Sequence, residues 1–111
     1  MRTLRLLNLS YSKNDFNNHK NLKTFLTVDN GVFHILGPEL MINGSDWKVN
    51  ADIQFNKQAI VSFFDEELVK NLSTTKSFNS YVVKENSINS GTNKMSFTTN
   101  NANYVLTYKI I

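Results

Sequence analysis

The side chains that could do acid–base chemistry are few and scattered along the chain. The sequence has two histidines, His19 and His34, and three consecutive acidic residues, Asp65-Glu66-Glu67. His34 falls in an apolar stretch that predicts a strand, where a half-buried structural histidine is the expected role. Three adjacent acidic residues are more often a solvated helix start than catalytic carboxylates. No nucleophile elbow, phosphate-binding glycine loop or metal-ligand spacing accompanies them, so we expect neither an enzyme nor a bound metal or cofactor.

A polar loop in the C-terminal third could instead present its backbone to a partner. It lies between two β-like segments, residues 81–84 and 94–99, and it runs Ile88-Asn89-Ser90-Gly91-Thr92-Asn93. Glycine holds a positive φ at little cost, so it allows loop shapes that other residues resist. Such a loop could be only a turn, or it could be a peptide offered to a protease cleft.

Length and composition predict one packed domain. The 111 residues are 41% hydrophobic and 19% charged, as in globular domains. Cysteine is absent, which excludes disulfides and a cysteine nucleophile. The net charge is +3, but the basic residues form no block, so nucleic-acid binding gains little support. No apolar run is long enough to span a membrane, and the start of the chain lacks a signal-peptide core, so we expect a cytoplasmic protein.

The apolar pattern predicts a mainly all-β fold of about eight short strands. Residues 47–55 alternate apolar and polar side chains, the clearest period of two in the chain. The leucines at positions 4–9 break their alternation once, which indicates a bulge. Asn30-Gly31 predicts a two-residue type I′ hairpin, and Gly37-Pro38 predicts the end of a strand. Strands at this spacing are typical of a small barrel or sandwich.

Residues 65–72 are ambiguous. Phe64, Leu68 and Leu72 have helical spacing, and the acidic residues between them suit a helix N-terminus. This pattern favours one short helix, so we expect at most one or two short helices in the fold.

Four aromatic residues permit an alternative function. A small β-barrel could bind single-stranded nucleic acid or a small ligand through a stacking face. The candidate residues are Trp47, Tyr81, Phe97 and Tyr104. Aromatic residues at alternating strand positions are usually core, so the core interpretation is preferred.

Four segments, read in chain order, share the pattern of one known family. They are Phe25-Leu26-Thr27-Val28 with Gly31-Val32-Phe33-His34; Gly37-Pro38-Glu39-Leu40-Met41-Ile42; Ser45-Asp46-Trp47 with residues 53–63; and Ser90-Gly91-Thr92-Asn93-Lys94-Met95-Ser96-Phe97. Together they resemble the staphostatins, small bacterial cytoplasmic inhibitors of papain-like cysteine proteases called staphopains. The third segment is similar to the family's central hairpin, and the fourth resembles its Gly-Thr-Ser binding loop.

The resemblance implies a closed, mixed β-barrel and a substrate-like mode of inhibition. Residues 88–93 would run through the protease cleft in the substrate direction. Gly91 would occupy the P1 position, Thr92 P1′, Ser90 P2 and Asn89 P3. We therefore expect a monomer whose partner is a papain-like cysteine protease, with no membrane or nucleic-acid partner. An inhibitor of some other host enzyme, encoded by a phage or mobile element, is a further alternative.

The chain also departs from the family pattern. The family usually has an aliphatic residue before the binding glycine, where this chain has Ser90; Ile88 could fill an apolar pocket instead. The proline beyond the loop is missing. Residues 100–111 extend past the family's usual end and add a strand, and residues 65–72 align with β structure in the family.

Overall fold

The computed structural model describes residues 1–13, 22–41, 44–65, 79–86, 91–98 and 102–111. The strands are β1 (Arg2–Lys13), β2 (Leu22–Asp29), β3 (Phe33–Met41), β4 (Asp46–Phe55), β5 (Gln58–Asp65), β6 (Asn79–Lys84), β7 (Asn93–Thr98) and β8 (Ala102–Ile110). These ranges contain no helix, and so none that could cross a bilayer. The predicted all-β fold of about eight strands is confirmed. Of the predicted helix at 65–72, Asp65 ends β5 and the rest lies outside the described residues.

The strands form two four-stranded sheets. One has the order β4-β1-β8-β7 and the other β3-β2-β5-β6. Every described strand pair is antiparallel, whereas the resemblance implied a mixed sheet. No strand pair among the described residues joins one sheet to the other, so the described strands form two facing sheets without backbone pairing between them.

The edges of the two sheets meet at two seams. β3 contacts β4 along one seam, and β6 contacts β7 along the other. At the first seam the Asn30 side chain donates a hydrogen bond to the Gln54 carbonyl oxygen at 2.6 Å. At the second, the Tyr81 hydroxyl donates to the Ser96 carbonyl oxygen at 2.8 Å. Side-chain bonds therefore tie the sheets together where backbone pairing is absent.

The core lies between the sheets and follows the period of two. On β4, side chains from Trp47 to Phe55 alternate inward and outward as predicted, and burial deepens towards Phe55. On β1, Leu4 and Leu6 are buried, then Leu9 and Tyr11. The phase changes at Leu7, which has no partner on β8 because the register shifts there. The predicted bulge in β1 is confirmed.

The β2–β3 connection differs from the predicted type I′ turn. Asp29 pairs with Phe33, so Asn30, Gly31 and Val32 form a three-residue loop, and only Gly31 among them has a positive φ, at 102°. The Asp29 carboxylate accepts from the Gly31 amide at 2.9 Å, and the Asn30 side-chain oxygen accepts from the Val32 amide at 3.0 Å. Asx hydrogen bonds of this kind stabilise a turn that a two-residue rule does not foresee.

The prediction that Gly37-Pro38 ends a strand is wrong. β3 continues through it as a bulge, because Leu36 pairs with Leu26 and Glu39 with Thr24, leaving two residues opposite one. Proline is tolerated here because β3 is an edge strand. Gly37 has φ 104°, the conformation that a bulge of this type takes from glycine.

The expected central hairpin is also wrong. β4 lies at the edge of its sheet beside β1, whereas β5 lies between β2 and β6 in the other sheet. Residues 56–57 therefore make a tight turn that carries the chain from one sheet to the other. The C-terminal segment is not peripheral either, since β8 lies between β1 and β7.

Candidate functional site

The predicted loop follows β6 and leads into β7, the two edge strands of the second seam. Each of these strands is held by an inner neighbour: Lys84 at the end of β6 pairs with Gln58, and Asn93 at the start of β7 pairs with Tyr108. Of the six predicted residues the structure describes Gly91, Thr92 and Asn93. Ile88, Asn89 and Ser90 lie outside the described residues. Gly91 and Thr92 are exposed, so the described part of the loop faces solvent.

Gly91 has a backbone shape reserved for glycine. Its φ is +100°, and no heavy atom lies within 4 Å of the position that a Cβ would occupy. A side chain would therefore have room but would strain the backbone. The Asn93 side-chain amide donates a long hydrogen bond of 3.5 Å to the Gly91 carbonyl oxygen. The orientation of that carbonyl is thus linked to the first residue of β7.

The chain leaving β6 is fixed to the rest of the scaffold. The Glu85 amide donates to the Lys57 carbonyl oxygen at 3.0 Å, which joins it to the β4–β5 turn. The Arg2 guanidinium donates to the Glu85 carbonyl oxygen at 3.1 Å, which joins it to β1. Both sheets therefore hold the segment from which the loop departs.

An aromatic cluster packs beneath the strands that carry the loop. The ring centroids of Phe63 and Tyr104 are 4.3 Å apart, those of Phe63 and Phe97 are 5.3 Å apart, and Tyr81 meets Phe97 edge to face at 5.5 Å. Contacts of this geometry stabilise beyond their buried area. Partial burial, with a smaller contribution from Tyr81, raises the pKa of nearby Tyr108, which stays neutral at physiological pH.

The proposed stacking face does not form. Phe97 and Tyr104 are fully buried, Trp47 packs against the core, and only Tyr81 is substantially exposed at 40%. These aromatic residues fill the interior because they occupy inward positions of their strands. They offer no shared surface on which bases could stack.

Of the candidate acid–base residues, His34 is the one whose side chain the structure describes. His34 lies half-buried on β3, as predicted, and its buried Nε2 has no hydrogen-bond partner among the described residues. His19, Glu66 and Glu67 lie outside the described residues. Within the described ranges, no three His, Asp or Glu side chains are grouped so that they could hold a metal ion.

Gly91 lies at one end of the molecule, together with segments that the sequence analysis did not predict to be near it. The β2–β3 and β4–β5 connections and the start of β1 lie at this same end, which we call the loop end. The register shows it through the pairs Arg2–Phe55, Asp29–Ile60, Gln58–Lys84 and Asn93–Tyr108. Alternate connections of antiparallel strands lie at one end, but this rule applies only once the strand pairing is known.

Two surface cavities open at the loop end, one on each flank of the β2–β3 loop. One, of about 370 Å³, extends from Asp29 to Ile60 and Lys57. The other, of about 550 Å³, is lined by residues that include Val32 and Asp52. A hydrogen bond from Arg5, at 2.8 Å, lowers the pKa of Asp52, so this carboxylate is charged at neutral pH. Both cavities therefore lie at the same end of the described protein as Gly91.

Comparison with known proteins found no match for this chain. No protein-family model matches it, and no curated protein or solved structure matches it significantly. The likeness to the staphostatins therefore rests on the order of the sequence motifs alone.

Proposed function

We propose that this chain is a protein inhibitor of a papain-like, staphopain-type cysteine protease. Residues 88–93 enter the active-site cleft in the substrate direction, with Gly91 at P1 and Thr92 at P1′. The observation that carries the proposal is that Gly91, two residues before β7, is exposed and has a φ of +100°. The chain performs no catalysis in this role.

The conformation of Gly91 explains how a bound loop would resist cleavage. A protease cuts when the scissile carbonyl oxygen enters the oxyanion hole and the carbon faces the nucleophile. Extended substrate residues have negative φ, whereas Gly91 has φ +100°. A P1 residue in that conformation turns its carbonyl away from the productive direction. The loop then binds without efficient hydrolysis.

The scaffold explains how the loop would bind tightly. Preorganised loops lose little conformational entropy on docking, and the bonds from Glu85 to Lys57 and from Arg2 to Glu85 fix one root of the loop. Pairing of Asn93 with Tyr108 fixes the other. Extended backbone on either side of Gly91 could add hydrogen bonds to the walls of the cleft.

The proposal includes the closed form of the scaffold and its cellular role. The two seams, β3 with β4 and β6 with β7, are where the sheets would close into the barrel that the resemblance implied. A monomer in the cytoplasm would protect the producing cell from its own protease when that enzyme folds before export.

The direct test is titration of staphopain-type proteases with the purified chain. The proposal predicts loss of peptidase activity at a stoichiometric ratio, with the loop intact by mass spectrometry after long incubation. A serine protease of similar size is the control and should keep its activity. Full activity of every staphopain-type protease at excess inhibitor would remove the proposal.

A further inference from the structure

The β2–β3 connection exposes large apolar side chains at the loop end. Residues 30–32, which we call the hairpin tip, include Val32, which is 65% exposed, and Phe33 follows at 60% exposed. Val32 lines the larger cavity of about 550 Å³ together with Phe55. Exposed apolar side chains beside a concave surface are the usual composition of a contact site.

The hairpin tip is held in place by hydrogen bonds that involve its own and adjacent side chains. Three side-chain hydrogen bonds fix it: Asp29 to the Gly31 amide, Asn30 to the Val32 amide, and Asn30 to Gln54 across the seam at 2.6 Å. Val32 is therefore presented in a defined direction. A rigid apolar residue loses little entropy on binding.

The hairpin tip and Gly91 lie on opposite sides of the same end. β3 and β6 are the outer strands of their sheet, so three strand spacings, or roughly 14 Å, separate the strand that follows the hairpin tip from the strand that precedes the loop. A loop that enters a cleft brings the surrounding end of its scaffold against the rims of that cleft. The hairpin tip projects to one side of the loop and therefore meets one rim.

We propose that the hairpin tip is a second contact with the protease, with Val32 packed against an apolar patch on the rim of the cleft. The inference rests on the proposed function, and it makes recognition of the protease a two-point contact. The cleft selects the loop by its backbone, whereas the rim selects the inhibitor by Val32. This second contact determines which papain-like enzyme is bound, because surface loops vary more among related proteins than the elements that they connect.

The test compares a substitution in the hairpin tip with one near the far end of β3. Val32→Asp places a charge in the second contact and should raise the inhibition constant about tenfold or more, because an apolar side chain loses its buried area. Leu40→Asp is the matched control: Leu40 lies on β3 at the opposite end and is 51% exposed. It should leave the inhibition constant within about twofold. Equal melting temperatures of the two variants exclude a folding defect.

Photocrosslinking provides a readout independent of affinity. Benzoylphenylalanine placed at position 32 should capture the protease, and the same group at position 40 should not. If Gly91→Ala weakens inhibition while Val32→Asp behaves like Leu40→Asp and position 32 captures nothing, the second contact is wrong and the inhibitor function stands. If the unmodified chain inhibits no papain-like protease, both proposals fall together.

Discussion

At the residue scale, the space around a glycine decides what a methyl group does there. Gly91 and Gly44 both have positive φ, +100° and +80°, with nothing within 4 Å of a Cβ. Alanine at either position changes the backbone preference without a clash. At Gly37 a Cβ would lie 2.7 Å from the Thr24 carbonyl oxygen. Alanine at position 91 or 44 therefore tests the cost of a positive φ alone, whereas alanine at position 37 adds a steric clash to that cost.

We expect Gly91→Ala to weaken inhibition at least tenfold or to make the loop a cleavable substrate. Alanine disfavours positive φ by about 1–2 kcal/mol, which shifts residue 91 towards the extended conformation of a substrate. Gly44→Ala, at the opposite end, is the control with a similar backbone penalty and should inhibit normally. Inhibition constants and mass spectra of the incubated variants measure both effects. Equal inhibition by the two variants would remove Gly91 from the site.

Gly37→Ala should destabilise the whole domain by about 3 kcal/mol. The expected loss combines the positive φ at this position with the contact against Thr24 in the adjacent strand. Urea denaturation followed by circular dichroism measures the free energy of unfolding. A loss no larger than that of Gly44→Ala would show that the bulge relaxes around the methyl group.

At the element scale, the candidate site depends on the seam between β6 and β7. Neither strand pairs with the other, and both carry the loop. Tyr81 bridges them, because its hydroxyl donates to Ser96 while its ring meets Phe97. The loop is therefore held in register by one side chain as well as by the inner strands β5 and β8.

We expect Tyr81→Phe to lower the free energy of unfolding by about 1 kcal/mol, the net value of one hydrogen bond. Tyr81→Ala should lower it by about 2 kcal/mol, because the ring contact with Phe97 is lost as well. Hydrogen exchange should rise in β6 and β7 and remain unchanged in β2. A uniform rise across both sheets would indicate that the seam has no separate role.

At the scale of the whole molecule, the last strand belongs to the core. β8 pairs with β1 on one side and β7 on the other, and it supplies the fully buried Tyr104 and Leu106. A chain that ended before β8 would leave β7 without its partner. β8 is thus a structural requirement of this protein.

Deletion of residues 102–111 should abolish folding. The deletion exposes the apolar faces of β1 and β7 and removes two complete strand pairings, a loss larger than the typical stability of a small domain. Circular dichroism and one-dimensional NMR should show an unfolded chain. Ile111→Ala, at a 53% exposed position, is the control and should fold normally. A folded, inhibitory truncation would contradict the two-sheet arrangement.

Local sequence determined most of the strands, the inward face of β4 and the bulge in β1, because alternation depends only on neighbouring residues, but it divided β3 at Gly37-Pro38. It also singled out Gly91, because glycine in a polar loop between strands is a local signal. Local sequence did not predict the type of turn at Asn30-Gly31, because Asx hydrogen bonds there stabilise a three-residue loop. Tertiary structure alone decided that residues 56–57 change sheets and that the hairpin tip and Gly91 lie at one end. Strand pairing is a choice among distant segments, and no window of neighbouring residues contains it.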